Sequence, residues 1–202
     1  MRLLFFVYIW YLYRYEHMNP LFITLYEDVT PEKAHRFIHF VNQMIMQYQP
    51  SELYFLIASN GGDVDAGFVM YNYLISLHST VTITMHNIGK IDSIANVIFC
   101  AGNVRYAAPS TSFLFHGVGM NFANGAYTRT MIKESLSIIE IMETRISETM
   151  CRHSKLSEAE LTALFDQGQS RDVIFALEKG LIDDIKVPVV PAGSNHITLN
   201  LS

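Results

Sequence analysis

The chain has 202 residues, of which 50% are apolar and 16% charged, and its formal net charge is −5. This length is typical of one globular domain with a substantial core, which excludes a disulfide mini-protein, a disordered tail and a multidomain assembly. The chain has no run of Lys and Arg, and we predict no nucleic-acid partner because phosphate binding needs clustered positive charge. Cys100 and Cys151 form no CxxC motif, so the sequence indicates neither a thiolate zinc site nor a disulfide framework and favours a cytoplasmic protein.

The start of the chain is unusually apolar. Residues 3–13 are all apolar and are flanked by arginines, but a membrane-spanning helix needs about 20 apolar residues. Three interpretations remain open: a membrane-surface anchor or uncleaved signal, an interface segment, or residues upstream of a true start at Met18. We favour the last, because regular alternation of strands and helices begins just after Met18. The predicted organisation is a segment at 1–17, a globular domain at 18–188 and a C-terminal tail at 189–202.

From Leu21 onward, short β-type runs alternate with helical stretches. The predicted strands cover residues 21–26, 53–58 and 81–86. The predicted helices cover residues 31–48, 63–77 and 93–101, and a turn is predicted at 87–89. Strands that feed helices in this way predict an α/β domain.

Two motifs lie where strands end. The run from Ser59 to Gly62 follows a buried strand, and paired glycines let a backbone come close to a ligand with its N–H groups free. The run from Gly89 to Ala95 places Ser93 at the start of a short helix, where unpaired N–H groups stabilise a developing oxyanion. Each motif also has an ordinary explanation, a tight turn for the first and a helix cap for the second.

A nucleophilic serine needs a base within hydrogen-bond reach, and the chain has eight histidines. His35 and His39 have the i, i+4 spacing of a metal site, but no third ligand is evident, so a solvated helix face is the better interpretation. His116 ends an apolar strand and is followed by Gly117-Val118-Gly119. This is where an imidazole facing a cleft is expected, although a structural histidine fits the same position.

Taken in order, these motifs resemble the proteolytic subunit of the Clp protease, ClpP. The resemblance runs from about residue 21 to 185 and rests on the runs 59–67, 89–95 and 113–116 and the closing run 178–183. It implies a ClpP/crotonase-like fold of stacked ββα units with a long protruding handle helix. It also implies a serine endopeptidase that acts on unfolded polypeptides inside a homo-oligomeric chamber of rings, fed by an ATP-dependent unfoldase, with no cofactor and no metal.

The resemblance assigns roles by position. Ser93 matches the nucleophile and His116 the general base, and the backbone N–H groups of Gly62 and Ile94 match the two oxyanion donors. His116 would take the Ser93 proton during attack on a peptide carbonyl and then donate it to the leaving amine.

The chain also departs from the family pattern. Asp92 stands before the nucleophile, where a small residue is usual, and its charge disfavours an oxyanion unless it is paired or points away. The family's catalytic aspartate position falls on Gly168. With a two-residue shift Asp166 is the best candidate for the third member, whereas Asp172 resembles a helix cap. If neither carboxylate reaches His116, the site is a Ser-His dyad or an inactive copy.

Residues 125–153 read as one long helix with an apolar face wider than a single seam. Such a helix is usually buried on two sides, by its own domain and by a partner, and the corresponding family helix joins two rings. Tyr54 and Leu56 match positions that line the family's unfoldase-docking clefts, although sheet burial explains their apolar character equally well. No phosphate-binding glycine loop followed by lysine occurs, so the chain itself is not expected to hydrolyse ATP.

Three functions follow from these patterns. The first is a ClpP-type serine endopeptidase. The second, which Gly168 and Asp92 favour, is a catalytically silent subunit that builds a ring with an active relative. The third is a crotonase-type enzyme, which uses a similar oxyanion hole on acyl-CoA thioesters and would make the pairing of Ser93 with His116 a coincidence.

Overall fold

The computed structural model describes residues 19–201. Its central element is one mixed β-sheet. Within residues 19–201 the strands are β1 (Pro20–Tyr26), β2 (Glu52–Ser59), β3 (Thr82–Asp92), β4 (Val104–Ala107), β5 (Ser112–Leu114), β6 (Ser170–Asp172), β7 (Asp184–Ile185) and β8 (Asn195–Leu199). The sheet order is β6-β5-β3-β2-β1-β8, with β4 also paired to β3 and β7 to β4. All pairings are parallel except that between β5 and β6. Helices follow most of the long strands, which confirms the predicted α/β class.

The helices are α1 (Pro31–Tyr48), α2 (Val64–Ser76), α3 (Ala95–Phe99), α4 (Arg129–His153), α5 (Glu158–Gln167) and α6 (Val173–Glu178). Helix α1 has the predicted bounds because Thr30 caps it: the Lys33 N–H donates to Thr30 Oγ1 at 3.2 Å, and Pro31 occupies the first position. Asp63 caps α2 in the same way, through the Ala66 N–H at 2.8 Å.

The core lies on both faces of β2 and β3. Phe37 from α1, Phe55 from β2 and Phe113 from β5 are fully buried. Strand β2 is buried from Phe55 to Ser59, as its uniformly apolar sequence predicts for a strand covered on both faces.

Strand β3 continues through the predicted turn and ends three residues beyond it, at Asp92. Its first half pairs with β4 and its second half with β5, and between the halves the register against β2 shifts. Asn87 makes this bend locally: its Oδ1 accepts from the Gly89 N–H at 3.0 Å and its Nδ2 donates to Ser112 O at 3.0 Å. The predicted turn at 87–89 is therefore wrong; the glycine and asparagine mark a bulge inside one long strand.

A hydrogen-bonded Tyr-His pair lies inside the sheet. His86 Nε2 donates to Lys186 O at 2.9 Å, since a carbonyl only accepts, and Nδ1 therefore accepts from the Tyr54 hydroxyl at 2.7 Å. Burial lowers the pKa of His86 and raises the pKa of Tyr54 to about 12. The Tyr54 hydroxyl is thus engaged inside the domain, and Leu56 is buried.

Helix α4 has two unlike halves. Ile146, Thr149 and Met150 in its C-terminal half are buried, whereas apolar residues of its N-terminal half are between 39% and 57% exposed: Met131, Ile132, Leu136, Ile138 and Ile141. The helix begins at Arg129 rather than near residue 125, because the Thr128 side chain caps it through the Met131 N–H. Nothing within residues 19–201 covers these side chains, and their cover by a partner stays a prediction.

Strand β8 adds the last part of the chain to the sheet, parallel to β1. His196 Nε2 lies 2.8 Å from Thr24 Oγ1 on β1, and Leu199 and Leu201 are buried. Residues 195–201 of the predicted tail are therefore packed against β1 and the core.

None of the helices between residues 19 and 201 is both long and apolar enough to cross a bilayer. The apolar segment 3–13 lies outside the described residues, and its three interpretations remain predictions.

Candidate active site

Ser93 occupies a strained turn between β3 and α3. Its φ of 58° lies in the left-handed region, which a residue with a Cβ adopts at a cost of about 1–2 kcal/mol. The turn is held at both ends: the Ser93 N–H donates to Leu114 O on β5 at 3.0 Å, and the Asn96 N–H donates to Ser93 O at 3.0 Å. The helix predicted from residue 93 starts at Ala95, so Ser93 precedes it. A serine in such a strand-to-helix turn is presented at the end of the sheet.

The glycine turn after β2 packs directly on the Ser93 turn. A Cβ built on Gly61 would lie 2.8 Å from Ser93 Cβ and 2.5 Å from Asp92 O. A Cβ on Gly62 would lie 2.1 Å from Val29 O, and Gly62 has a φ of 145°. Only glycine fits these two positions, because any side chain would overlap the backbone of a neighbouring segment.

The same packing leaves two amide groups unpaired. In the glycine turn the Gly61 N–H donates to Ser59 Oγ at 3.1 Å, and the Asp63 N–H donates to Val29 O at 2.9 Å. The Gly62 N–H between them has no acceptor among residues 19–201, and neither has the Ile94 N–H beside the serine. Two free donors next to a serine are what an oxyanion hole requires.

Asp92 is buried but paired. Its Oδ2 lies 2.8 Å from Lys90 Nζ, and this hydrogen bond raises the pKa of Lys90. Pairing reduces the unfavourable effect that a carboxylate on the residue before Ser93 would have on a developing oxyanion.

His116 lies two residues beyond Leu114, the residue whose carbonyl accepts from the Ser93 N–H. Its side chain is exposed, and Nδ1 donates to Gly117 O at 2.7 Å. The sheet thus brings the Ser93 turn and the His116 loop to the ends of two adjacent strands, β3 and β5. No hydrogen bond joins the Ser93 hydroxyl to the His116 ring in the part of the chain described.

Three positions bear on the third catalytic residue: Gly168, Asp166 and Asp172. Gly168 ends α5 in the left-handed conformation, with a φ of 58°, and carries no side chain. Asp166 is exposed and lines a cleft of about 310 Å³ together with Gly117, but within residues 19–201 it makes no hydrogen bond to His116. Asp172 caps α6 through the Phe175 N–H at 2.9 Å, as its position predicts.

One carboxylate at the site, that of Glu143, could not be predicted from the sequence. Glu143 on α4 accepts from the Val118 N–H at 2.9 Å. It lies far from His116 along the chain, in the middle of a helix rich in acidic residues, so only the packing of α4 against the His116 loop reveals it. Across residues 19–201, no three His, Cys, Asp or Glu side chains are grouped to hold a metal ion.

Comparisons with known proteins agree with this architecture. The sequence model of the Clp protease family matches residues 11–188. The chain is 28% identical over 137 residues to an ATP-dependent Clp protease proteolytic subunit 3 from Streptomyces avermitilis, a match that covers 66% of this chain and 60% of that relative. The fold is similar to that of a ClpP1 point mutant from Listeria monocytogenes, with a TM-score of 0.70 and 18% identity, covering 82% of this chain and 90% of the other. The chain therefore belongs to the Clp protease family.

Proposed function

We propose that this chain is a ClpP-type serine endopeptidase that hydrolyses peptide bonds of unfolded proteins or peptides inside an oligomeric chamber. One observation carries the proposal. The glycine turn is packed against a serine held at positive φ, and two backbone amides, those of Gly62 and Ile94, are left without acceptors on residues 19–201.

The proposed reaction uses the tautomer that the Gly117 contact gives His116. Because Gly117 O can only accept, the His116 proton is on Nδ1, which leaves the lone pair of Nε2 free to take a proton. As Ser93 Oγ bonds to the scissile carbonyl carbon, its proton passes to Nε2, and the Gly62 and Ile94 amides stabilise the oxyanion. The imidazolium then protonates the leaving amine as the C–N bond breaks, and water hydrolyses the acyl-enzyme. Each oxyanion donor of this kind lowers the barrier by roughly 3 kcal/mol.

The exposed half of α4 supports an assembly of several copies. Its apolar side chains are uncovered within residues 19–201, and an apolar face of this kind marks an interaction surface. We propose that a second copy of the chain covers it and that rings of the subunit enclose the site. An ATP-dependent unfoldase is a proposed partner, since the curated relative from Streptomyces is named as part of an ATP-dependent protease.

The test is the intact mass of the purified full-length chain after treatment with a fluorophosphonate, which forms a bond to an activated serine with loss of fluoride. We expect one adduct per chain, and none in Ser93→Ala or His116→Ala. Sedimentation of the untreated protein and of both variants shows whether each is folded and assembled.

A folded, assembled wild-type protein that forms no adduct would overturn the proposal and leave the catalytically silent ring subunit as the better interpretation. An adduct that persists in Ser93→Ala would place the reactive group elsewhere. The third function, an acyl-CoA enzyme, has no observation in its favour, because the matching family is a protease family.

A further inference from the structure

The loop that carries the proposed base is fixed by two elements outside the sheet. The Gly117 N–H donates to Phe165 O near the end of α5 at 3.2 Å. The Val118 N–H donates to Glu143 Oε1 on α4 at 2.9 Å. The two amides that follow His116 are thus each held by a different helix.

Glu143 also contacts the loop at Gly117. A Cβ built on Gly117 would lie 2.9 Å from the same Glu143 Oε1, so the carboxylate lies against the peptide whose carbonyl accepts from the His116 ring. Glu143 is partly buried, whereas Glu140, one turn earlier on α4, is exposed. A charge-assisted hydrogen bond at a partly buried position restrains a loop more firmly than an exposed one does.

The His116 ring depends on this loop for its orientation. Among residues 19–201 no carboxylate bonds to His116, and the acceptor for Nδ1 is Gly117 O at 2.7 Å. A carbonyl acceptor selects the neutral tautomer with the proton on Nδ1, and it does so only while the Gly117 peptide keeps its orientation.

We infer that Glu143 is a positioning residue: it fixes the Gly117-Val118 backbone so that Gly117 O holds His116 in the tautomer that accepts the serine proton. Glu143 acts through the loop and does not touch the reacting atoms. The inference rests on the proposed serine peptidase function. A carboxylate at position 168 would otherwise orient His116, but Gly168 has no side chain. On this inference Gly117 O, which Glu143 on α4 holds in place, orients the ring instead.

The experiment measures the rate constant for reaction of Ser93 with a fluorophosphonate in the full-length protein, followed by intact mass. We expect Glu143→Ala to lower it about tenfold or more, as loss of a hydrogen bond to a charged acceptor typically does. Glu143→Gln keeps an Oε1 acceptor for the Val118 N–H and should stay within about threefold of wild type. The Glu140 side chain makes no hydrogen bond to the loop within residues 19–201, so Glu140→Ala removes a charge one turn earlier on α4 and should react at the wild-type rate.

Glu143→Asp provides a second variant, in case the alanine variant does not fold. It keeps the charge but shortens the side chain by one methylene, so the carboxylate no longer reaches the Val118 N–H, and the reaction should slow as in the alanine variant. A wild-type rate in Glu143→Ala or Glu143→Asp would overturn the inference, and so would equal slowing in Glu143→Gln. An unreactive wild-type protein would instead overturn the proposed function, and the inference with it, before any variant is compared.

Discussion

The two sides of the candidate site are built very differently. The oxyanion side consists of the Gly61-Gly62 turn and the Ser93-Ile94 turn, which are pressed together at the ends of β2 and β3 with no room for a side chain between them. The base side consists of the exposed His116 and the partly buried Gly117 and Val118 after it, which are held by single hydrogen bonds from α5 and α4.

This contrast follows from where each side is anchored. The oxyanion side is continuous with buried strands, so its position is determined by the whole core and tolerates no change of backbone path. The base side begins at β5, a strand of three residues, and then leaves the sheet. Its geometry depends on a few contacts, so substitutions that remove one of these contacts should change rates without affecting the fold.

Gly62→Ala should break the oxyanion side and have the largest effect. The added Cβ would lie 2.1 Å from Val29 O, at a φ of 145°, so the turn must shift and its free N–H with it. Loss of one oxyanion donor lowers the reaction rate by about 10²–10³-fold. The measurement is the fluorophosphonate rate, with circular dichroism as the check of folding. Gly119→Ala is the matched control, because nothing lies within 4 Å of its added Cβ; equal rates in the two variants would refute the close-packed oxyanion side.

Lys90→Gln should weaken the oxyanion side without moving it. It removes the cation that pairs with Asp92 at 2.8 Å and leaves a buried carboxylate on the residue that precedes Ser93. Because Lys90 itself is solvent-exposed, we expect the fluorophosphonate rate to fall only about three- to tenfold. Salt screens this electrostatic effect, so the difference from wild type should become smaller at high salt. Adding Asp92→Asn to Lys90→Gln should restore the rate. A double variant as slow as the single one would show that the charge of Asp92 has no influence on the reaction.

The two turns that form the oxyanion side could be predicted from the sequence because their determinants are local. Paired glycines after a buried strand and a serine before a short apolar run each predict a turn, and the parallel sheet brings the two turns to one edge. The Thr30-Pro31 cap likewise fixes the start of α1 within the sequence itself. These are signals of backbone conformation, which neighbouring residues determine.

The base side could be predicted only in part, because its determinants are distant along the chain. The sequence indicates His116 but not Glu143, since one acidic residue of a long helix looks like any other until the helix is packed. The sequence predicts a turn at Asn87 where the structure has a bulge, for a related reason: glycine and asparagine specify a bend, and whether the strand continues beyond it depends on the pairing with β5.

Gly168→Asp should have the smallest effect. It tests whether His116, on the base side, needs a carboxylate to orient it. It adds a carboxylate at the position to which the resemblance assigns the third catalytic residue, where nothing lies within 4 Å of an added Cβ. The Nδ1 proton of His116 is already donated to Gly117 O, so a new carboxylate can only exchange one acceptor for another. We expect less than about a threefold change in the fluorophosphonate rate, because exchanging one hydrogen-bond acceptor for another changes the free energy little. Gly168→Asn is the matched control, because both variants pay the same cost of about 1 kcal/mol for a side chain at a φ of 58°, and their melting temperatures should fall together. If Gly168→Asp instead reacts tenfold faster than Gly168→Asn, the imidazole in the native chain lacks an effective orienting acceptor, and the base side is limited by its missing carboxylate rather than held by its loop.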